Sequence, residues 1–194
     1  MQLTLSRSHL WRLPTGFTLS RHSRGTRVVH LAFYSFAMLR EPAGHSQVQG
    51  FFDRLVAVAQ SAEGANGFIG LRYDLPDRFG PRFYDPEVDA GAPQTLSTWT
   101  SLESVFAFVY RGLHAEALRN RKEWFLEPQW PTHVAWWVAE NHMPSWQEGA
   151  HRLEHLHDHG PTPYAFSFRR PFDAQGQPTT LHRISDADRI TTVR

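Results

Sequence analysis

Apolar residues recur along the chain with two different periods, and the two periods together predict alternating strands and helices. Residues 28–38 are rich in β-branched and aromatic side chains and end before the turn residues Pro42–Gly44, which is typical of a buried strand. From Gln47 to Ala62 the apolar positions repeat at steps of three and four, as in an amphipathic helix. Further strands are predicted at 67–74, 94–100, 133–140 and 164–168.

Two more helices are predicted from capping signals. Thr100 and Glu103 have the S/T-x-x-E spacing of a capping box, and a continuous apolar stripe then predicts one helix over 102–119. Ser145 and Glu148 repeat the spacing before a helix that ends at about His159, where glycine and proline follow. The residues at 75–93 are rich in proline and aspartate, so we expect a long irregular connection there.

The order of these elements predicts an α+β fold. A strand-strand step in the middle gives the ferredoxin-like split βαβ pattern, with an added C-terminal helix and strand. Strand 133–140 is apolar on both faces, and a bare apolar sheet face would need a partner. We therefore expect a homodimer in which two antiparallel sheets pack into an α/β barrel, with pockets between sheet and helices.

Length and composition restrict the class of protein. The 194 residues suffice for one domain, which we place at 28–172, between an Arg-rich extension (1–27) and a C-terminal tail (173–194). The chain has 20 basic and 19 acidic residues, so it lacks the charge of a nucleic-acid binder. It has no cysteine, which excludes disulfides and thiolate chemistry. No apolar run is long enough to cross a bilayer, so we expect a cytoplasmic protein without a membrane partner.

Several common catalytic motifs are missing from the sequence. There is no GxxxxGK[ST] phosphate loop, no GxGxxG after a strand, no HExxH and no GxSxG. Nucleotide hydrolysis, dinucleotide redox chemistry, zinc proteolysis and serine hydrolysis therefore lose their usual sequence support.

Two long segments carry a family resemblance. WTSLESVFAFVYRGLHAEALRNRKEWF (99–125) and HVAWWVAENHMPSWQEGAHRLEHLHDHGPTPYAFSF (133–168) closely resemble the bacterial domain-of-unknown-function family 3291. The resemblance extends more weakly upstream through HLAFYSF and Gly67–Phe68, and covers about residues 28–172. It implies a dimeric α/β-barrel fold related to antibiotic-biosynthesis monooxygenases and haem-degrading enzymes, but it implies no activity. Many family members have Asn where this chain has Ser35.

His114 is the candidate catalytic residue. On a continuous helix it lies at the edge of the apolar stripe, on a ridge with Tyr110 and Leu118, and could act in a pocket as acid, base or metal ligand. A boundary histidine at the dimer interface is the alternative. The resemblance places His114 about one helical turn before the haem-ligating histidine of the haem-degrading relatives, so haem is a candidate cofactor.

The aromatic strands predict a pocket for a small apolar or aromatic molecule. Its candidate residues are Tyr34, Ser35, Trp99, Tyr110, Trp136 and His142. Core packing and a dimer interface are the alternative uses of the aromatic residues, and a plain loop position is the alternative for His142. His151 and His155 share a helix face that points away from the core, so we predict no metal site there.

Three functions stay open at this point. The first is a monooxygenase-type enzyme that acts on a small apolar or aromatic substrate, either without a cofactor or with haem. The second is a haem-binding or haem-handling protein, and the third is a non-catalytic ligand-binding or structural dimer.

Overall fold

The computed structural model describes residues 29–181, which contain a four-stranded antiparallel sheet and five helices. The strands are β1 (Val29–Phe36), β2 (Phe68–Leu71), β3 (Gln94–Trp99) and β4 (His133–Ala139), in the sheet order β2-β3-β1-β4. The helices are α1 (Ser46–Glu63), α2 (Leu102–Tyr110), α3 (Gly112–Arg119), α4 (Arg121–Trp124) and α5 (Trp146–His159). The predicted split βαβ order, from β1 through α1, β2, β3 and α2 to β4, is confirmed within these residues.

Both faces of the sheet carry a hydrophobic core, because successive strand side chains point to opposite faces. Leu31 and Phe33 pack with residues of α1 and α2, on what we call the α2 face. Tyr34 and Phe36 pack with Trp146 and other residues of α5, on what we call the α5 face.

The expectation of a bare sheet face is wrong. Helix α5 and side chains of the irregular segment 75–93 cover the α5 face, so that Tyr34 and Trp136 are fully buried. A Cβ atom at Gly149 would lie 2.9 Å from Cγ of Tyr34, so glycine is what lets α5 approach this closely. The sequence shows that α5 has an apolar stripe, but not which surface the stripe covers. The homodimer and the barrel stay predictions, without support from a bare face.

The predicted helix over 102–119 is wrong in one respect, because it is two helices. Arg111 has an extended backbone and Gly112 has a φ of 54°, in the left-handed region that favours glycine. The apolar stripe continues across the break and so conceals it. Consequently Tyr110 and His114 lie on different helices, and the predicted ridge that joins them does not form.

One of the two predicted caps is confirmed and the other is shifted. Ser145 Oγ accepts a hydrogen bond from the Glu148 backbone N–H at 3.1 Å, at the start of α5. Ser101 rather than Thr100 caps α2, because it is the Ser101 Oγ that accepts from the Ser104 N–H at 3.1 Å.

The predicted last strand, 164–168, is reduced to a single antiparallel bridge. Phe166 exchanges both backbone hydrogen bonds with Ala135 of β4, at 2.8 and 3.0 Å. Tight turns at 162–165 and 167–170 bracket this residue, so the backbone cannot extend the ladder on either side.

The packed region also extends beyond residue 172. Trp137 Nε1 donates to the Phe172 carbonyl at 2.8 Å, and Leu181 packs against the core of the α2 face. The rest of the predicted tail, like the extension 1–27, lies outside the described residues. None of the helices within 29–181 is long and apolar enough to span a membrane, and the cytoplasmic location stays a prediction.

Candidate functional site

The α2 face of the sheet changes from apolar to polar along β1. Strand register places the facing side chains in three rows across β3, β1 and β4, which are Trp99–Leu31–Trp137, Ser97–Phe33–Ala135 and Thr95–Ser35–His133. The third row is polar throughout, and Ser35 Oγ lies 2.6 Å from Thr95 Oγ1. Polar side chains therefore border an aromatic core at this end of the face, the arrangement in which proteins commonly bind small molecules.

His133 is the unusual member of the polar row. Its Nε2 is buried and has no hydrogen-bond partner within residues 29–181, although most buried polar atoms have one. The Thr132 hydroxyl lies 3.5 Å from Nδ1, at the long limit of a hydrogen bond. Burial, and secondarily the positive charge of Arg169, lower the pKa of His133 to about 4, so the ring is neutral at neutral pH.

Phe168 covers this histidine. Its ring centroid lies 4.9 Å from that of His133, and 5.3 Å from that of Phe33 with an interplanar angle of 18°. Phe106 and Tyr110 of α2 contact the same ring edge-on, at 5.4 and 5.9 Å. Tyr110 is 48% exposed, so the aromatic cluster reaches solvent at this end of α2.

His114 lies at the other end of the α2 face. Its ring contacts Phe108, which contacts Trp99 of the first row, at centroid distances of 5.1 and 5.2 Å. The first and third rows are four residues apart along β1, or about 13 Å at the rise of a strand. His114 therefore does not join His133 in one site.

A backbone hydrogen bond fixes the tautomer of His114. Its Nδ1 lies 3.0 Å from the Val109 carbonyl oxygen, which can only accept, so Nδ1 carries the proton. Burial lowers the pKa of His114, and the bond to Val109 opposes this to a smaller extent. In the neutral ring the lone pair is on Nε2, the atom that could accept a proton or bind a metal.

The sheet separates the six predicted pocket residues into two groups. Ser35, Trp99 and Tyr110 lie on the α2 face, where Tyr110 contacts Phe168 and Ser35 pairs with His133. Tyr34, Trp136 and His142 belong to the α5 side of the sheet. Because Tyr34 and Ser35 are neighbours on one strand, they cannot line the same pocket.

The three residues on the α5 side make structural contacts. The Tyr34 hydroxyl donates to Gln94 Oε1 at 2.5 Å, and burial raises the pKa of the Tyr34 phenol. Trp136 Nε1 donates to Glu148 Oε1 at 2.8 Å, and His142 Nε2 lies 2.7 Å from Glu148 Oε2. Trp136 lies on β4 and Glu148 on α5, so the hydrogen bond between them ties these two elements together.

Arg152 completes this network on the α5 side. Its guanidinium donates to Glu148 and to the Tyr164 carbonyl, and lies 3.7 Å from the centroid of the Tyr164 ring. Both carboxylate oxygens of Glu148 therefore have partners, which leaves little capacity to bind a ligand there.

The pocket predicted from the sequence did not include His133 or Phe168. Strand 133–140 is apolar on both faces, so its first residue does not stand out, although alternation with Ala135 and Trp137 would have placed it on a core face. The ring of Phe168 reaches the third row only because of the turn at 167–170, which the sequence did not predict.

Metal chemistry has limited support in the part of the chain that the structure describes. Residues 29–181 hold no group of three or more His, Cys, Asp or Glu side chains that could bind a metal ion. His155 contacts Thr162, His159 and Tyr164, while His151 is exposed.

Comparisons with known proteins give a family and two distant structural similarities. The model of DUF3291, a domain of unknown function, matches residues 30–182. A protein of unknown function from Nitrosomonas europaea is 12% identical with a TM-score of 0.39, over 62% of this chain and 97% of the other. A proposed antibiotic biosynthesis monooxygenase from the same organism is 8% identical, with the same TM-score and coverage. No curated protein matches the sequence.

Proposed function

The chain belongs to the DUF3291 family, a domain of unknown function, and we propose that it binds a small planar aromatic molecule on the α2 face, against Phe33 and His133. The observation that carries the proposal is the ring of Phe168, which stacks on Phe33 and contacts the tilted ring of His133, a histidine whose buried Nε2 has no partner within residues 29–181. A planar ligand ring offers the same stacking as Phe168 does.

Such a ligand can also satisfy the nitrogen that Phe168 leaves unpaired. A buried polar atom without a hydrogen bond destabilises a protein by about 1–3 kcal/mol, and a ligand hydroxyl could restore the missing bond to Nε2 of His133. Phe168 contributes no hydrogen bond at this position, so exchanging it for a polar aromatic ligand is favourable at Nε2.

The local backbone is consistent with such an exchange. Phe168 lies inside the turn at 167–170, two residues after the single bridge at Phe166, and not in a strand. Turning the Phe168 ring outward therefore breaks no strand ladder, and the Tyr110 ring that it contacts is 48% exposed.

An oxygenase-type reaction is the enzymatic form of this proposal. His133 and the Ser35–Thr95 hydroxyl pair would be the polar groups nearest to the bound ring. A neutral imidazole could accept a hydrogen bond from a phenol or enol and orient it.

We expect Phe168→Ala to bind the neutral probe β-naphthol about 2- to 10-fold more tightly than the wild type does, because the ligand then displaces no stacked ring. Isothermal titration calorimetry gives the two dissociation constants, and circular dichroism checks that the variant is folded. Phe83→Ala is the matched control, because Phe83 is also stacked in parallel, on Trp130 at 5.3 Å, but on the α5 side of the sheet. A lack of saturable binding to both the wild type and Phe168→Ala would contradict the proposal.

Haem binding is a second candidate function, and one observation favours it. The Nδ1–H of His114 is held by the Val109 carbonyl, which orients Nε2 for a metal, as backbone carbonyls often do for ligating histidines. This residue could therefore hold a haem iron through Nε2, and bound haem would supply oxygen chemistry.

For this second candidate we expect a Soret band on titration with hemin, and we expect His114→Ala to abolish it. His142→Ala serves as the control, because His142 is exposed, lies on the α5 side and pairs with Glu148. An unchanged band in His114→Ala, or no band in the wild type, would exclude His114 as a haem ligand.

A further inference from the structure

We infer that the molecule bound on the α2 face is a planar aromatic acid whose carboxylate pairs with the guanidinium of Arg169. This inference rests on the proposed function and adds the charge of the ligand to it. It follows from three features that lie together: an aromatic stacking surface, a buried imidazole nitrogen without a partner and an adjacent arginine without an anion.

Arg169 directly follows Phe168, the residue that covers the site. It is exposed, and it forms no ion pair or side-chain hydrogen bond within residues 29–181. Consecutive Cα atoms are about 3.8 Å apart, so the Arg169 backbone lies at the edge of the aromatic cluster that Phe168 joins.

The charge next to the site is not neutralised by the protein. The positive charge of Arg169 acts on His133, and no described carboxylate acts on His133 to offset it. Two exposed arginines of the described residues do have acidic partners, Arg78 with Glu87 and Arg82 with Asp158, whereas Arg169 has none. A ligand carboxylate would give Arg169 the partner that those residues find within the chain.

The three features match the parts of an aromatic acid. The ring would stack on Phe33, a hydroxyl or ring heteroatom would face Nε2 of His133, and the carboxylate would lie at the rim beside Arg169. A guanidinium can bind a carboxylate through two parallel hydrogen bonds, which would also fix the orientation of the ring.

The test compares β-naphthoate with its neutral analogue β-naphthamide by isothermal titration calorimetry at low ionic strength. We expect the wild type to bind the acid about fivefold more tightly than the amide, a modest preference because the pair is at the rim. Added salt should reduce the preference. Arg169→Gln should bring the two dissociation constants together, with little change for the amide.

Arg170→Gln is the matched control, because it removes the same charge one residue further along the chain. We expect it to keep the preference for the acid. If Arg169→Gln and Arg170→Gln reduce the preference for the acid equally, the preference is a general effect of positive charge and the inference is overturned.

The outcomes also separate this inference from the proposed function. If the wild type binds both probes equally, and Phe168→Ala binds both more tightly, the proposed binding site is supported and the inference that the ligand is an acid is wrong. If neither probe binds to the wild type or to Phe168→Ala, the proposed function and this inference both fail.

Discussion

Replacing Trp136 with Ala is expected to lower the free energy of unfolding by about 3–5 kcal/mol. Trp136 is completely buried in the core of the α5 face, where its indole N–H donates to Glu148. The substitution removes the ring from the core and also removes a hydrogen-bond donor from a partly buried carboxylate. Both effects destabilise the attachment of α5 to the sheet.

Urea unfolding of Trp136→Ala and the wild type measures this effect. Trp136→Phe should lower the free energy of unfolding by less than Trp136→Ala does, because it keeps most of the buried apolar surface. Tyr73→Ala is the control for loss of an exposed aromatic ring, since Tyr73 is 66% exposed, and should cost less than about 1 kcal/mol. A loss for Trp136→Ala as small as that of the control would mean that α5 does not cover this sheet face.

Acid is expected to destabilise the protein through His133, by about 2–3 kcal/mol between pH 7 and pH 4.5. The pKa of His133 is lowered to about 4 in the folded state, against 6.5 for an ordinary histidine. Between these two values the unfolded chain binds a proton that the folded protein does not. Stability is therefore fully present above pH 6.5 and is lost as the pH falls towards 4.

The variant His133→Phe isolates this effect, because Phe has a similar size and does not titrate. When the pH is lowered from 7 to 4.5, the free energy of unfolding of His133→Phe should fall less than that of the wild type. The difference between the two should be about 2–3 kcal/mol, the effect assigned to His133. His151→Phe makes the same substitution at an exposed histidine of α5 and is the matched control. The same pH dependence in His133→Phe and the wild type would show that the imidazole is not buried as described.

Local sequence patterns predicted most of the fold. The period of three to four residues located α1 within one residue at each end, and the Ser145 cap located the start of α5. The break at Gly112 was missed because the apolar stripe is continuous across it, and only the positive φ reveals it. The apolar stripe favours one continuous helix, but it does not encode the positive φ at Gly112 that divides the helix in two.

Tertiary packing explains why the α5 face was predicted wrongly. The apolar stripe of α5 is visible in the sequence. The sequence does not show whether this stripe packs against the sheet of its own chain or against that of a partner. The contact depends on a detail of shape, because Gly149 leaves room for the ring of Tyr34.

The candidate site was predicted only in part. Of the predicted pocket residues, Tyr110 contacts Phe168 and Ser35 pairs with His133, whereas Tyr34 and Trp136 point to the opposite face. The alternation of side chains along a strand is sufficient by itself to assign Tyr34 and Ser35 to opposite faces. The role of Phe168 could not be predicted, because it depends on a turn with no strong signal in the sequence.

A crystal structure of the complex with β-naphthoate tests the central claim most directly. The account predicts that the naphthyl ring stacks on Phe33, that Phe168 has turned away from His133, and that the carboxylate lies beside Arg169. A ligand bound elsewhere, with Phe168 still in contact with Phe33 and His133, would contradict it.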